Sequence, residues 1–341
     1  MSAEHLRIGI VGAGAIVRHR HLPNLRAIPG VEVRVVCNRS RESATAFARD
    51  FAVPEIAENW EQVVARRDLD VIWIGTTPNL HAPITIAALN AGKHVFCQAR
   101  MAMNLSEARS MLAAAEDHPG LVTMLCPPPN AMKHGLCLKQ LLHERAIGRV
   151  HQFHLRSLSA PWADPAAPAH WRQRTELSGG NILSAGIYGE VLGRFFGDPV
   201  SLCALGRVFI HQRQEYEVRV PDAVAVLSNW PDQVFGTLEW SGVAFHGGHD
   251  RLEIFGSDGT LIYDFVTDEI FLGRSGDPSP VSFTIPPEFI REWTVEKDFI
   301  CAVRDHGQPE PSFRTGVRYM TFVEAIQQSL QQFAWVRLAD L

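Results

Sequence analysis

The chain has 341 residues, more than one ordinary core needs and enough for two domains. Hydrophobic residues make up 46% and charged residues 20%, the balance of a globular protein, and a formal net charge of −5 gives no electrostatic reason to expect nucleic acid or an anionic membrane. No apolar run approaches the roughly 20 residues that span a bilayer, and "MSAEHLRIGIVGAG" enters a strand without a leader pattern, which points to a cytoplasmic protein.

The first third alternates strand-like and helix-like segments. "LRIGIVGAG" reads as a strand entering a glycine turn, "IVRHRHLPNLRAI" as a helix and "VEVRVVCNRS" as a second strand. Two amphipathic helices, "RESATAFARDFA" and "ENWEQVVARRD", precede the strand "LDVIWIGTTP". The helix "HAPITIAALNAG" leads to the strand "KHVFCQA". The helix "NLSEARSMLAAAEDH", capped by Asn104 or Ser106, leads to the strand "LVTMLCPPP". Apolar strands alternating with helices predict a parallel, doubly wound α/β sheet of the Rossmann type.

The pattern changes near residues 124–130. "AMKHGLCLKQLLHERAIG" reads as a helix, and longer alternating strands follow: "RVHQFHLRSLSA", "VSLCALGRVFIHQ", "DAVAVLSNWPDQVFGTLEWSGVAF", "DRLEIFGSDGTLIYDF" and "EIFLGRS". "WPDQ" and "GSDGT" are hairpin turns. One helix, "GNILSAGIYGEVLGRFFG", interrupts the strands, and "YMTFVEAIQQSLQQFAW" closes the chain as another. The expected organisation is a dinucleotide-binding domain over 1–125 and an α+β domain over 126–341 with a large, mainly antiparallel open sheet.

Gly12-x-Gly14-x-x-Val17 sits between the first strand and the first helix. Gly12 permits the tight turn, and Gly14 lets the backbone amides around Ala15 and Ile16 approach a pyrophosphate at a helix N-terminus. Val17 in the third position predicts slightly wider helix–strand packing. The second strand ends in "CNRS", where an NAD-selective fold usually places an acid for the ribose hydroxyls. Asn38 cannot repel a 2′-phosphate, and Arg39, with Ser40 and Arg41 beside it, can pair with one, so NADP(H) is preferred and NAD(H) possible. Alternatively, Arg39 and Arg41 are solvated surface charges.

Six cysteines are scattered without a CxxC pair, so neither a disulfide framework nor a zinc site is expected. "HGGHD" (His246 to Asp250) carries two histidines three apart with no further clustered ligands, too little for a metal site. His19 and His21 flank the first helix and are expected at the surface.

These segments together resemble the Gfo/Idh/MocA (glucose–fructose oxidoreductase / inositol dehydrogenase) family over nearly the whole chain. "GIVGAGAIVRHRHLPNL" resembles its cofactor turn, and "VIWIGTTPNLHAPITIAALNAGKHVFCQ" its fourth strand, following helix and fifth strand. "WRQRTELSGGNILSAGIYG" resembles its substrate helix, and "GSDGTL" and "EAIQQS" its C-terminal domain. The resemblance implies an NAD(P)-dependent oxidoreductase acting on a small polar carbonyl, carbinol or imine. It further implies a homodimer or homotetramer, and a cofactor lined by Thr76, Thr77, Pro78, Asn79, His81 and Gln98. His81 reads equally as a satisfied structural histidine.

The family's Glu-Lys-Pro after the fifth strand is Gln98, Ala99 and Arg100 here, and its Asp and His on the substrate helix are Ser184 and Tyr188. Hydride transfer needs a partner proton transfer at the substrate oxygen, which Ala99 cannot provide. Tyr188 is the candidate proton donor or acceptor, with Arg100, Arg172 or Lys133 as the cation that would keep its phenol acidic; it reads equally as a packing residue. Arg100 would hold a substrate carboxylate or else be a surface arginine. Ser184 and Lys133 are candidate substrate contacts. Trp171 can stack near the nicotinamide or lie in the core. Two alternatives remain open: a lyase or hydratase that retains its dinucleotide, and a non-catalytic homologue that senses cofactor or sugar.

Overall fold

A computed structural model describes residues 5–130, 133–248 and 250–341. The strands β1 (Leu6–Val11), β2 (Val31–Cys37), β3 (Glu55–Ile56), β4 (Val71–Ile74), β5 (His94–Cys97) and β6 (Thr123–Leu125) form one sheet in the order β3-β2-β1-β4-β5-β6. Every pair is parallel. The order reverses between β1 and β4, which is where such sheets bind ligands at the carboxyl ends of their strands. A π-helical turn over Val17–His21 runs into α1 (Leu22–Arg26); α2 (Arg41–Asp50), α3 (Trp60–Val64), α4 (His81–Asn90) and α5 (Leu105–Glu116) follow. Side-chain caps begin three of them: Ser40 accepts from the Ser43 amide at 3.2 Å, Asn59 from Gln62 at 2.9 Å and Asn104 from Glu107 at 2.9 Å.

After α6 (Gly135–His143) comes β7 (Val150–Leu158), then α7 (Thr175–Ser178), α8 (Ala185–Phe196), β8 (Ser201–Arg207), β9 (Gln212–Arg213) and β10 (Tyr216–Glu217). The long strands continue with β11 (Ala223–Asn229), β12 (Phe235–Ser241), β13 (Asp250–Gly256), β14 (Gly259–Asp264), β15 (Glu269–Arg274) and β16 (Val281–Ser282). The chain closes through α9 (Val295–Asp305), α10 (Phe313–Gln332) and β17 (Val336–Arg337). The second sheet runs β16-β15-β14-β13-β7-β12-β11-β8-β17, with β7 and β12 parallel and its other pairs antiparallel. β11 alternates one face to the core (Val224, Val226, Ser228) and one to solvent (Ala225, Leu227, Asn229), as a half-buried strand requires.

Two compact units result. The first holds the chain up to Pro127 with Leu177–Gly179 and Thr294–Val317; the second holds Pro128–Glu176, Gly180–Trp293 and Arg318–Leu341. The expected division into 1–125 and 126–341 does not provide for these two returns of the chain to the first unit. The substrate-helix segment also starts later than its glycines suggest: α8 begins at Ala185, with Ser184 as its N-terminal boundary.

In the first unit Trp73 on β4 stacks on Phe96 on β5, with ring centroids 3.7 Å apart and planes 13° apart. Phe299 of α9 meets both edge-on at 5.8 and 5.6 Å. In the second unit Phe153 on β7 stacks on Phe196 of α8 at 4.3 Å, and Trp230 closes on both. Truncating Phe96 to Ala removes the ring between Trp73 and Phe299 and should cost about 3–5 kcal/mol, read as a lower urea midpoint at unchanged slope.

Candidate active site

The glycine turn is built so that backbone meets backbone. Gly12 has φ 86°, and a Cβ there would lie 2.6 Å from the Thr76 amide nitrogen at the end of β4. A Cβ on Gly14 would meet nothing within 4 Å, so this side of the turn is bare, open backbone at the head of the first helix. Ala15 and Ile16 are exposed beside it. These residues fit a pyrophosphate by the donor geometry of a helix N-terminus. Val17 is buried and finds its room against Gly75, where a Cβ would stand 2.6 Å from its Cγ2.

Asn38, at the end of β2, accepts from the Ala13 amide at 2.6 Å and ties that strand end to the turn. Its side chain is therefore partly committed to the glycine turn. Ser40 caps α2, and Arg41 lies 3.4 Å from Glu58 on the surface, while Arg39 is exposed. Of the three, Arg39 is the one whose position and charge suit a ribose phosphate.

At the end of β4, the Thr77 hydroxyl donates to Asn79 Oδ1 at 2.7 Å, and Pro78 opens a short 3₁₀ turn into α4. His81, the first residue of α4, is fully buried. Its Nδ1 lies 2.9 Å from the Arg100 carbonyl and its Nε2 3.0 Å from the Thr76 carbonyl, so it clasps the loops that follow β5 and β4. Burial pushes its pKa down against the pull of these carbonyls. The ring therefore stays neutral and donates from one nitrogen at a time.

The residues after β5 are drawn inward. Gln98 is buried, and its amide nitrogen meets His21 Nε2. His21 Nδ1 lies 2.5 Å from Glu296 Oε1, and Asn24 Nδ2 donates to Glu296 Oε2 at 2.9 Å. One tautomer satisfies the row: His21 donates from Nδ1 to the carboxylate and accepts from Gln98 at Nε2. His21 is therefore no surface residue; it is fully buried beside Trp73 and Phe96, while His19 is exposed. The π turn is the local cause, because its i→i+5 bond, Leu22 N–H to the Val17 carbonyl, adds a residue to the turn and alters which side chains point inward. Arg100 is likewise buried, at 2% exposure, and not a surface arginine; the Ala99–Arg100 peptide is cis.

In the second unit, Tyr188 stands in the first turn of α8, its amide bonded to the Ser184 carbonyl at 3.0 Å, and is 2% exposed. Its hydroxyl donates to Asp250 Oδ1, and Asn130 Nδ2 donates to its oxygen at 3.2 Å. The expected cation is not what its hydroxyl meets. Burial and the Asp250 carboxylate both push the phenol's pKa above its ordinary value, the opposite of the expected direction. Arg172 instead lays its guanidinium 4.3 Å from the Trp171 ring centroid, and Lys133 is exposed. Trp171 begins a short 3₁₀ turn. Ser184 marks the helix boundary without a side-chain cap.

Asp250 is the residue that sequence reasoning missed. "HGGHD" drew attention to its histidines, yet the carboxylate that ends it is what meets Tyr188. Among the described residues no group of three or more His, Cys, Asp or Glu is close enough to hold a metal; His249 lies outside them. No helix among them is long and apolar enough to cross a membrane.

A model of the oxidoreductase family with an NAD-binding Rossmann fold matches residues 6–125, and a model of the GFO/IDH/MocA C-terminal domain matches residues 136–262. Levoglucosan dehydrogenase of Pseudarthrobacter phenanthrenivorans is 24% identical over an alignment covering 99% of each chain. A dTDP-3,4-didehydro-2,6-dideoxy-alpha-D-glucose 3-reductase of Streptomyces antibioticus is 30% identical, covering 96% of this chain and 97% of its own. A solved structure of levoglucosan dehydrogenase in complex with NADH and levoglucosan shares the fold, with a TM-score of 0.86 at 24% identity over 98% of this chain and 99% of that one.

Replacing His21 with Phe keeps a ring beside Trp73 and Phe96 but sets the Glu296 carboxylate and the Gln98 amide against an apolar edge. The expected loss is about 3–5 kcal/mol of stability, measured by chemical denaturation. A loss under about 1 kcal/mol would show that the row is not structural.

Proposed function

Because the chain belongs to the Gfo/Idh/MocA oxidoreductase family, we propose that it transfers hydride between a nicotinamide dinucleotide and a small, polar, sugar-type carbinol or carbonyl. The observation that carries this reading is the glycine turn, whose open backbone lies at the head of the first helix in a chain matched by both family models. The dinucleotide supplies the hydride-accepting ring. Gly12, Gly14, Ala15 and Ile16 hold its pyrophosphate, and Asn38 and Arg39 its adenosine ribose. Thr76, Thr77, Pro78, Asn79 and Gln98 line its nicotinamide half, and His81 positions the loops they stand on.

Tyr188 handles the proton at the substrate oxygen. Ala99 offers no proton at the strand end, so the phenol, held by Asp250 and Asn130, and the Ser184 hydroxyl are the polar groups left at the family's acid–base positions. Ser184, Lys133 and Arg172 serve substrate recognition, and Arg100 the shape of the loop after β5. The preferred cofactor is NADP(H), because Arg39 is exposed at the end of β2 and no acid stands there. The family reading also carries a cytoplasmic homodimer or homotetramer, which light scattering checks.

Ala99 supports a second reading, a lyase or hydratase that keeps its dinucleotide and reoxidises its own product. Incubation with NADP⁺ and levoglucosan or myo-inositol, or with NADPH and 1,5-anhydro-D-fructose, separates the two. Net change at the nicotinamide absorbance band supports the oxidoreductase; substrate loss without it supports the lyase.

Fluorescence titration should show tighter binding of NADPH than of NADH, and Arg39→Ala should weaken NADPH roughly tenfold while leaving NADH nearly unchanged. Equal affinities in the native protein would remove the phosphate assignment. Tyr188→Phe should lower turnover roughly 10²-fold or more with cofactor affinity unchanged; full activity would make Tyr188 a packing residue.

A further inference from the structure

A phenol carries one proton and two lone pairs. In Tyr188 the proton is given to Asp250, and Asn130 fills one lone pair. Ser157, paired with Asp250 across β7 and β13, has its hydroxyl within reach of both side chains but only one proton to give. When Ser157 donates to the carboxylate, the second lone pair of Tyr188 is open to a new donor. A substrate hydroxyl is such a donor.

We propose that Tyr188 and Asp250 form a two-residue proton relay, with Asp250 as its terminal base. This rests on the reading of Tyr188 as the group at the substrate oxygen. In oxidation, the substrate C–H bond breaks and its electron pair leaves as hydride to the oxidised nicotinamide, which is reduced. The substrate O–H bond breaks, and its electron pair becomes the second bond of the carbonyl. That proton passes to the Tyr188 oxygen as the phenol's own proton passes to Asp250. The phenol ends as it began, the carboxylate ends protonated, and Asp250, half-buried, hands the proton to water. Reduction runs the same steps backwards from protonated Asp250.

The relay removes a difficulty that a lone Tyr188 would face. Burial beside a carboxylate makes a free phenolate hard to reach near neutral pH. A carboxylate is already a base there. Burial raises the Asp250 pKa above the usual carboxylate value, partly offset by the hydrogen bonds from Tyr188 and Ser157, and so brings this base closer to working pH. The groups facing it are Tyr188 from α8, Ser157 from β7 and Asp264 from β14. Asp264 is itself paired with Arg251 at 3.2 Å.

Carbon-13 labelling of the tyrosine ζ-carbons tests the relay without any substrate. The Tyr188 signal is assigned by its loss in Tyr188→Phe. On titration from the carboxylate range to neutrality it should shift with one inflection, and Asp250→Asn should abolish that inflection. Tyr263, which donates to its own partner Asp268, is the internal control and should keep its behaviour. A flat Tyr188 signal, or the same inflection in Asp250→Asn, overturns the relay.

Turnover of levoglucosan or myo-inositol with NADP⁺ gives the kinetic counterpart. Oxidation needs ionised Asp250, so kcat should fall as the pH drops through its pKa. Asp250→Asn should lower kcat roughly 10²-fold and lose that acidic limb, with KM nearly unchanged, and Asp250→Glu should restore part of the rate. The two failures are distinct. A fully active Tyr188→Phe sinks the role of Tyr188 itself. A slowed Tyr188→Phe beside an Asp250→Asn of native rate and native pH profile sinks the relay alone.

Discussion

The first unit depends on one buried polar contact, the His21 imidazole set between the Gln98 amide and the Glu296 carboxylate. Its three members come from three places: the turn after the glycine loop, the end of β5, and the first turn of α9. Each would be costly to bury alone, and His21 bonds to both of the others while Asn24 adds a donor to Glu296. The contact therefore fixes more than its own atoms. It holds the strand end on which Gln98 stands against the helix that follows the cofactor turn. The His81 clasp then joins the loops after β4 and β5. The loops after β4 and β5 are tied together because their polar groups bond to buried partners.

The second unit uses the same economy differently. Tyr188 and Asp250 are bonded as a pair, hydroxyl to carboxylate. In the first unit Gln98 and Arg100, which follow β5, are turned inward. In the second, a helix residue and a strand residue from remote parts of the sequence meet through a hydroxyl and a carboxylate.

Much of this was legible in the sequence where the signal is local. Buried parallel strands announce themselves as apolar runs such as "VIWI", and caps such as Asn104 stand directly before their helices. The glycine turn is read from three residues. Contacts between distant segments were less legible. His21 looked like a surface residue because "HRH" is polar and its π turn shifts the helical phase. α9 went unread, although Val295, Phe299, Ile300 and Val303 recur at helical spacing and are all buried. Tyr188 was singled out by position, but its partner was sought among cations, because nothing local connects it to an aspartate 62 residues away on another strand.

The partner of His21 lies 275 residues further along the chain. During synthesis at roughly 5–20 residues per second, the glycine turn and first helix leave the ribosome about a quarter-minute to a minute before Glu296 exists. Once β6 is made, the strands of the nucleotide-binding sheet are complete, yet until α9 follows His21 and Gln98 lack the carboxylate of Glu296 and Trp73 and Phe96 lack the Phe299 ring. The unit that begins at the N-terminus is thus finished by one of the last segments to be translated, and the nucleotide-binding sheet gains its last buried partners only when the chain returns to it.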